Sequence, residues 1–156
     1  IGGGRIIGEL CHYIDLMMYL CNSSPVSISS NFIKSNFNDS INVLMNFIDG
    51  SSSTISFFSN GSKKLHKEQL EIHSDNSSII LNDFKKLEIY TQGSKRVLRN
   101  INQNKGQKNM VLEYLEALKK GGTPLIPFED IFLSTKATLL AQKSAFEGGR
   151  NYEIEL

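Results

Sequence analysis

The chain is poor in several residue types and sequence runs that identify common protein classes. Its 156 residues include no tryptophan, two cysteines and three prolines, and the formal net charge is only +1. A nearly balanced charge gives no reason to expect nucleic acid or an anionic membrane as a partner. No apolar run approaches the roughly 20 residues that span a bilayer, and no cleavable signal is visible. We therefore expect a cytoplasmic protein in which residues 1–156 form one domain.

The sequence also lacks the common motifs of metal and nucleotide sites. It has no Gly-x-x-x-x-Gly-Lys-Ser/Thr loop, no Cys-x-x-Cys pair and no Gly-x-Ser-x-Gly turn. A dinucleotide site needs a strand before its glycine-rich turn, and the spacing Gly2-x-Gly4-x-x-x-Gly8 arises by chance in such turns. His66 and His73 lie seven residues apart, on opposite faces of a continuous strand, and do not predict a metal site. We expect the chain itself to bind neither a metal nor a nucleotide.

The two cysteines lie at either end of the first predicted helix. Cys11 and Cys21 are ten residues apart, which is about 15 Å along a helix and too far for a disulfide. We interpret them as small buried hydrophobic residues in a reducing compartment. A nucleophilic Cys11 beside His12 is the alternative, but adjacent helical residues do not face each other.

Hydrophobic spacing predicts a helix followed by a series of strands. Between Glu9 and Leu20, three- and four-residue spacing marks a packed helical face, formed by Leu10, Ile14, Met17, Met18 and Cys21. About seven segments of alternating apolar and polar residues follow, and turn signals separate them. The strongest signal is Asp49-Gly50, which predicts a tight hairpin with positive φ at both positions.

Two amphipathic helices and a short terminal strand close the sequence. Apolar residues of the first closing helix are Met110, Val111, Tyr114, Leu115 and Leu118, and those sharing one side of the second are Phe128, Phe132, Leu139 and Phe146. Glu129 and Asp130 are expected in the first turn of the second helix, where its dipole favours negative charge. The order predicts an α+β fold: an open, mainly antiparallel β-sheet of about seven strands with helices packed on one face.

His12 is the residue for which the sequence most specifically suggests a catalytic role. An imidazole titrates near neutrality and can pass protons. On spacing alone, His12 could equally be a satisfied core or boundary residue. It could also form a surface pair with Asp15, three residues later, worth a few tenths of a kcal/mol.

The start of the sequence adds further information. Residues 2–15 comprise a glycine triplet, an apolar pair and a helical stretch with one histidine and, three residues later, one aspartate. This opening resembles the C-terminal domain of the glucose–fructose oxidoreductase, inositol dehydrogenase and MocA (Gfo/Idh/MocA) oxidoreductase family. Further segments resemble that family in the same order, namely Phe47–Ser51, Asn60–Lys63, Lys67–Ile72, Lys105-Gly106 and Ile126–Glu129. The resemblance implies a dihydrodipicolinate-reductase-like C-terminal domain, with the N-terminal dinucleotide-binding (Rossmann) domain absent from this chain.

The resemblance also implies roles for individual residues. In that family a histidine on the first helix helps to move the substrate proton during hydride transfer to a nicotinamide, and His12 matches it. Many members have an aspartate four residues earlier, where this chain has Gly8, so the usual proton relay is altered. Glu9 points about 100° away from that position and is not a plain replacement. We expect Arg5, Gly8, Glu9 and Asp15 to lie at the substrate.

Two functional hypotheses follow from the resemblance. In the first, the chain is the substrate-binding and oligomerisation domain of a dehydrogenase for a sugar, sugar nucleotide or cyclitol. NAD or NADP then belongs to the full-length protein, and the chain alone binds none and is inactive. A homo-oligomer would form through the open sheet face, where Leu44, Ile48 and Phe58 are off-phase apolar residues. In the second, the chain is a stand-alone, non-catalytic binding or assembly module, which Gly8 favours.

Overall fold

A computed structural model of the chain describes residue 4 and residues 6–33, 39–122 and 124–155. In chain order the elements are a π-helical turn (Ile6–Leu10), α1 (Cys11–Cys21), β1 (Pro25–Phe32), β2 (Ile41–Phe47), β3 (Ser52–Phe57), β4 (Gln69–Ser74), β5 (Ser77–Asn82), β6 (Lys86–Thr91), β7 (Ser94–Arg99), α2 (Gln107–Lys120), α3 (Phe128–Phe146) and β8 (Tyr152–Glu153). The chain divides into a first unit, Ile1–Asn60 with Ile126–Leu156, and a second unit, Gly61–Leu125. A single functional domain over residues 1–156 stays a prediction.

The first unit is built on an antiparallel sheet in the order β3-β2-β1-β8. The alternation predicted for β2 is confirmed, because Ile41, Val43, Met45 and Phe47 are buried and the residues between them are exposed. Helices α1 and α3 pack against each other, α3 packs against β1, and α1 contacts β3. The hydrophobic core of this unit therefore lies between two helices and one face of the sheet.

The hairpin between β2 and β3 forms where Asp49-Gly50 predicts it, but its turn is longer than expected. Residues 48–51 separate the strands, and only Gly50, with φ of 86°, has a left-handed backbone. A two-residue turn with both central residues at positive φ is found instead between β4 and β5, where Asp75 has φ of 46° and Asn76 has φ of 61°. Asp49 accepts hydrogen bonds from Ser51 and therefore stabilises the longer turn.

The two helices of the first unit bury different kinds of residue. Leu10 at the end of the π-helical turn and Ile14 and Met18 in α1 are buried as predicted. In α3, apart from Leu133, the buried face carries small side chains, namely Ala137, Thr138, Ala141, Ser144 and Ala145. The large apolar residues predicted to share one side of α3 do so on its exposed face, where Phe128 is 72% exposed. The small residues allow α3 to pack closely on β1.

The second unit contains an antiparallel meander in the order β4-β5-β6-β7, followed by α2. One face of this sheet, called the apolar face below, consists of cross-strand neighbours: Leu70 opposite Leu81, Ile72 opposite Ile79, Ile79 opposite Ile89, Leu81 opposite Leu87, and Leu87 opposite Leu98. Within the described part of this unit no apolar side chain is buried, and every residue of α2 except Ala117 is exposed. The apolar face and α2 therefore lack close packing partners among the described elements.

The predicted α+β class and antiparallel strands are confirmed, whereas the single open sheet is not. The described residues contain seven strands before the closing helices and the predicted short terminal strand, β8, and these eight strands form two four-stranded sheets. Between β3 and β4 lies a segment without strand structure, residues 58–68, which is largely polar and includes Asn60-Gly61. This segment interrupts the strand pairing. Among the described helices, α1 and α3 are the ones that pack on a sheet.

Candidate functional site

The chain enters α1 through a π-helical turn, so the first helix is longer than predicted. Helical structure begins at Ile6 and not at Glu9. Ile6 and Leu10 point into the core, while Gly8 and Glu9 are exposed. Single π-helical turns occur frequently at functional sites, because they rotate the side chains that precede a regular helix. Arg5, a predicted substrate contact, lies outside the described residues.

One side of α1 carries polar side chains and forms an exposed stripe. His12, Asp15 and Tyr19 are accessible to solvent, and Ile14 and Met18 on the other side of the helix are buried. Because His12 is exposed, the interpretation as a satisfied core histidine is wrong. The helix therefore presents an imidazole and a carboxylate on the side that does not pack.

Asp130 adds a second carboxylate to this stripe. It lies in the first turn of α3, the helix that packs against α1. Partial burial raises the pKa of Asp15, and the negative charge of Asp130 raises it further, while the imidazole of His12 opposes both effects. The three groups therefore interact electrostatically, and Asp130 joins two of the residues predicted for the site.

Position 8 has room for a side chain. A Cβ placed on Gly8 would meet no atom within 4 Å, and its φ lies outside the left-handed region. The backbone at this position is therefore compatible with a side chain, including the aspartate that the resemblance leads one to expect. The absence of a carboxylate at position 8 is a feature of the sequence and is not imposed by packing.

The arrangement suits acid–base chemistry on an uncharged polar ligand. An accessible imidazole can exchange a proton with a hydroxyl group. Both cysteines are free and half-buried, and burial raises the pKa of the Cys21 thiol. No described group of three or more His, Cys, Asp or Glu side chains is arranged to hold a metal ion.

The described elements do not form a dinucleotide-binding unit. Such a unit needs two parallel strands joined by a helix, with a glycine-rich turn after the first strand. Every strand pair in the described part of the chain is antiparallel. The described residues therefore do not supply a dinucleotide-binding unit of this type. Among residues 6–33, 39–122 and 124–155, no helix has the length and apolar character needed to cross a membrane.

Known structures share this fold. Levoglucosan dehydrogenase in complex with NADH and levoglucosan is similar with a TM-score of 0.81 and 14% identity, over 98% of this chain and 51% of that one. An oxidoreductase from Agrobacterium radiobacter in complex with NAD+, L-tartaric acid and magnesium gives 0.76 and 16%, over 95% and 48%. UDP-N-acetylglucosamine 3-dehydrogenase from Acidithiobacillus ferrooxidans gives 0.75 and 13%, over 90% and 46%.

These similarities confirm the fold that the resemblance implied. The chain spans about half the length of each of these oxidoreductases. Neither a protein-family model nor a curated protein matches its sequence. Because the identities are low, the similarities establish the fold, and the activity has to be argued from the site.

Proposed function

We propose that the chain is the substrate-binding and oligomerisation domain of an NAD(P)-dependent oxidoreductase that acts on a sugar, sugar nucleotide or cyclitol. The observation that carries this proposal is the exposed His12, which lies with Asp15 and Asp130 on a fold shared with several dehydrogenases. The nucleotide is held by a separate dinucleotide-binding domain, and the chain alone is inactive. The protein is cytoplasmic.

In this proposal His12 exchanges a proton with a substrate hydroxyl or carbonyl oxygen. Asp15 interacts electrostatically with both His12 and Asp130, so the imidazole exchanges its proton beside acidic groups. Glu9, which is exposed, contacts the remaining hydroxyl groups of the substrate, and Arg5 is assigned the same role from its place in the sequence alone. The space beside Gly8 then accommodates part of the substrate and not an aspartate side chain.

The catalytic part is tested with a His12→Ala substitution in the full-length protein. Loss of a general acid–base group lowers kcat by about 100-fold or more, measured from NAD(P)H absorbance with a panel of sugars, sugar nucleotides and cyclitols. His73→Ala is the matched control, since it removes another exposed histidine, from β4 of the second unit. Equal activity of both variants and the wild type would refute the role of His12. So would a gene that encodes no dinucleotide-binding domain upstream of Ile1.

The oligomerisation part of the proposal relies on the apolar face of the second unit. Leu44, on the exposed face of β2, is flanked across the strands by Ser29 and Thr54, so it does not belong to a continuous apolar surface. Ile79, by contrast, lies between Ile72 and Ile89 on the apolar face. The side chains of the apolar face are half-buried, apart from the exposed Leu98, and continuous apolar surfaces without a packing partner mark protein interaction sites. We therefore assign the homo-oligomer interface to the apolar face.

Two aspartate substitutions distinguish these surfaces. Ile79→Asp introduces a charge at the centre of the apolar face and is expected to dissociate the oligomer in sedimentation velocity. Leu44→Asp introduces the same charge on the face of the first sheet and leaves the oligomer intact. Dissociation by Leu44→Asp alone would move the interface to the first sheet. A monomeric wild-type protein would refute oligomerisation altogether.

Gly8 supports a second candidate function, a non-catalytic binding or assembly module with the same fold. The position is exposed and sterically open, yet it lacks the carboxylate of the usual proton relay. The two candidates respond differently to His12→Ala. A dehydrogenase loses turnover and keeps its assembly, whereas a module of the second kind shows no change in either.

A further inference from the structure

Asn60-Gly61 is the one asparagine–glycine sequence in the chain. It lies in the segment between β3 and β4, at the boundary between the first and second units. Both residues are exposed, and a Cβ placed on Gly61 would meet no atom within 4 Å. Within the described residues, no hydrogen bond engages the Asn60 side chain or the Gly61 N–H. The side-chain amide and the following backbone nitrogen are therefore free to approach each other.

In the Asp49-Gly50 turn, by contrast, hydrogen bonds hold the side chain and the following backbone nitrogen in place. In Asp49-Gly50 the Gly50 N–H donates to the carbonyl oxygen of Phe47 at 3.1 Å. The Asp49 carboxylate accepts hydrogen bonds from the Ser51 backbone N–H at 3.1 Å and from its hydroxyl at 2.8 Å. Both the Gly50 nitrogen and the Asp49 carboxylate therefore have hydrogen-bond partners that fix their positions. The contrast with Asn60-Gly61 is one of local hydrogen bonding as well as residue type.

Asn76-Ser77 provides a comparison that also contains asparagine. Asn76 has φ of 61° in the two-residue turn between β4 and β5, and Ser77 is paired with Ser74 at the start of β5. A side chain follows Asn76, and the turn is fixed by the strands on both sides. Attack of the Ser77 nitrogen on the Asn76 side chain would disrupt this pairing.

We propose that Asn60-Gly61 is a site of spontaneous deamidation and isoaspartate formation. The Gly61 nitrogen loses its proton to solvent and attacks Cγ of Asn60; a C–N bond forms, the bond to the side-chain amide nitrogen breaks, and ammonia leaves. Water then opens the five-membered succinimide at either carbonyl carbon, giving aspartate or isoaspartate. The reaction needs water and no oxidant or reductant.

The product changes the connection between the two units. Isoaspartate adds one methylene group to the main chain, and either product adds one negative charge close in sequence to Lys63 and Lys64. Since asparagine is among the thermolabile residues, the extent of conversion records the age and heat exposure of each molecule. This inference is independent of the proposed enzymatic function.

The experiment follows conversion in the full-length protein during incubation at mildly alkaline pH. Peptide mapping by mass spectrometry is expected to show a gain of one dalton in the peptide containing Asn60. Labelling by a protein isoaspartyl methyltransferase is expected in the same peptide, with a rate that rises with pH. An unmodified Asn60 after this incubation would overturn the proposal, as would faster conversion at Asn76.

A substitution of Gly61 identifies the reacting nitrogen. The Gly61→Ala variant keeps Asn60 and introduces a methyl group into open space, at a φ outside the left-handed region. Loss of most of the isoaspartate signal at Asn60, with an unchanged circular dichroism spectrum, is the expected result. Conversion at the wild-type rate in this variant would refute succinimide formation through Gly61. Asn60→Gln, which removes the five-membered ring, should abolish the signal even if Gly61→Ala perturbs the turn.

Discussion

Removal of one buried hydroxyl group should destabilise the first unit strongly. Ser144 and Ser30 are buried, with exposed fractions of 0% and 2%. The Ser30 N–H donates to Ser144 Oγ at 2.8 Å, and Ser144 Oγ lies 2.6 Å from the carbonyl oxygen of Arg150 as a donor. Strand β8 pairs with β1 only at Ser27 and Ile28. Strand β8 is too short to pair with Ser30, and the Ser144 hydroxyl accepts the hydrogen bond from the Ser30 N–H instead.

The magnitude of the effect follows from the partners that Ser144→Ala leaves behind. The substitution deprives the buried Ser30 N–H of its acceptor, at a cost of about 1–3 kcal/mol, and removes the part-buried hydrogen bond to the Arg150 carbonyl oxygen, worth about 1 kcal/mol. The methyl side chain of alanine occupies nearly the same volume, so the additional cavity cost is small. We expect the free energy of unfolding to fall by about 3 kcal/mol.

Urea denaturation followed by far-UV circular dichroism measures this loss. Ser134→Ala is the matched control on the same helix, because the Ser134 hydroxyl only donates to the carbonyl oxygen of Ile131 within an exposed turn. Its removal should change the free energy of unfolding by less than about 0.5 kcal/mol. Equal effects of the two substitutions would show that the Ser144 hydroxyl does not extend the sheet.

Three further predictions concern backbone conformation and charge. Gly149→Ala should lower the thermal unfolding temperature of the protein more than Gly148→Ala. Both glycines have a positive φ, which costs an alanine about 1–2 kcal/mol. Of the two, only a Cβ at Gly149 would also collide with the side chain of Asn31. Hydrogen bonds from two lysine side chains lower the pKa of Glu88 from 4.5 to about 2. The ionised Glu88 should therefore contribute fully to the free energy of unfolding above pH 4.5, and this contribution should be lost as the pH falls towards 2. Glu88→Gln should remove this part of the pH dependence of unfolding. Because the pKa of Asp15 is raised in the folded protein, its ionisation above pH 3.8 opposes folding. Asp15→Asn should therefore raise the free energy of unfolding at pH 7. A lower free energy of unfolding at pH 7 would refute the unfavourable ionisation.

The elements that could be predicted from the sequence are those with a strong local signal. The helix around Ile14 has regular three- and four-residue spacing of apolar side chains, and its packed face is the one observed. The strands lie between turn residues such as Asp49-Gly50, and β1 to β7 appear in the predicted order. Periodicity and turn residues act over a few positions, which is why a single sequence contains them.

The features that were missed depend on long-range packing. Helix α3 has two apolar sides, and the large residues such as Phe128 gave the stronger pattern, although the alanine-rich side around Ala141 packs. The division into two sheets depends on whether β3 and β4 pair across residues 58–68, which no local pattern decides. The sequence indicated Asp130 only as an acidic residue in the first turn of a helix. Its electrostatic interaction with Asp15 could not be predicted, because it results from the packing of α1 against α3.

The proximity of Asp15 and Asp130 is better explained by function than by packing. Two neighbouring carboxylates are unfavourable at neutral pH, as the raised pKa of Asp15 indicates. The fold does not require them, because Ile14 and Met18 bury the opposite side of α1, and Glu129 already interacts favourably with the dipole of α3. Unfavourable charge is retained typically where a site needs it. If Asp15→Asn raises stability and lowers turnover together, the pair belongs to an active site. If stability rises and turnover is unchanged, His12 acts without it.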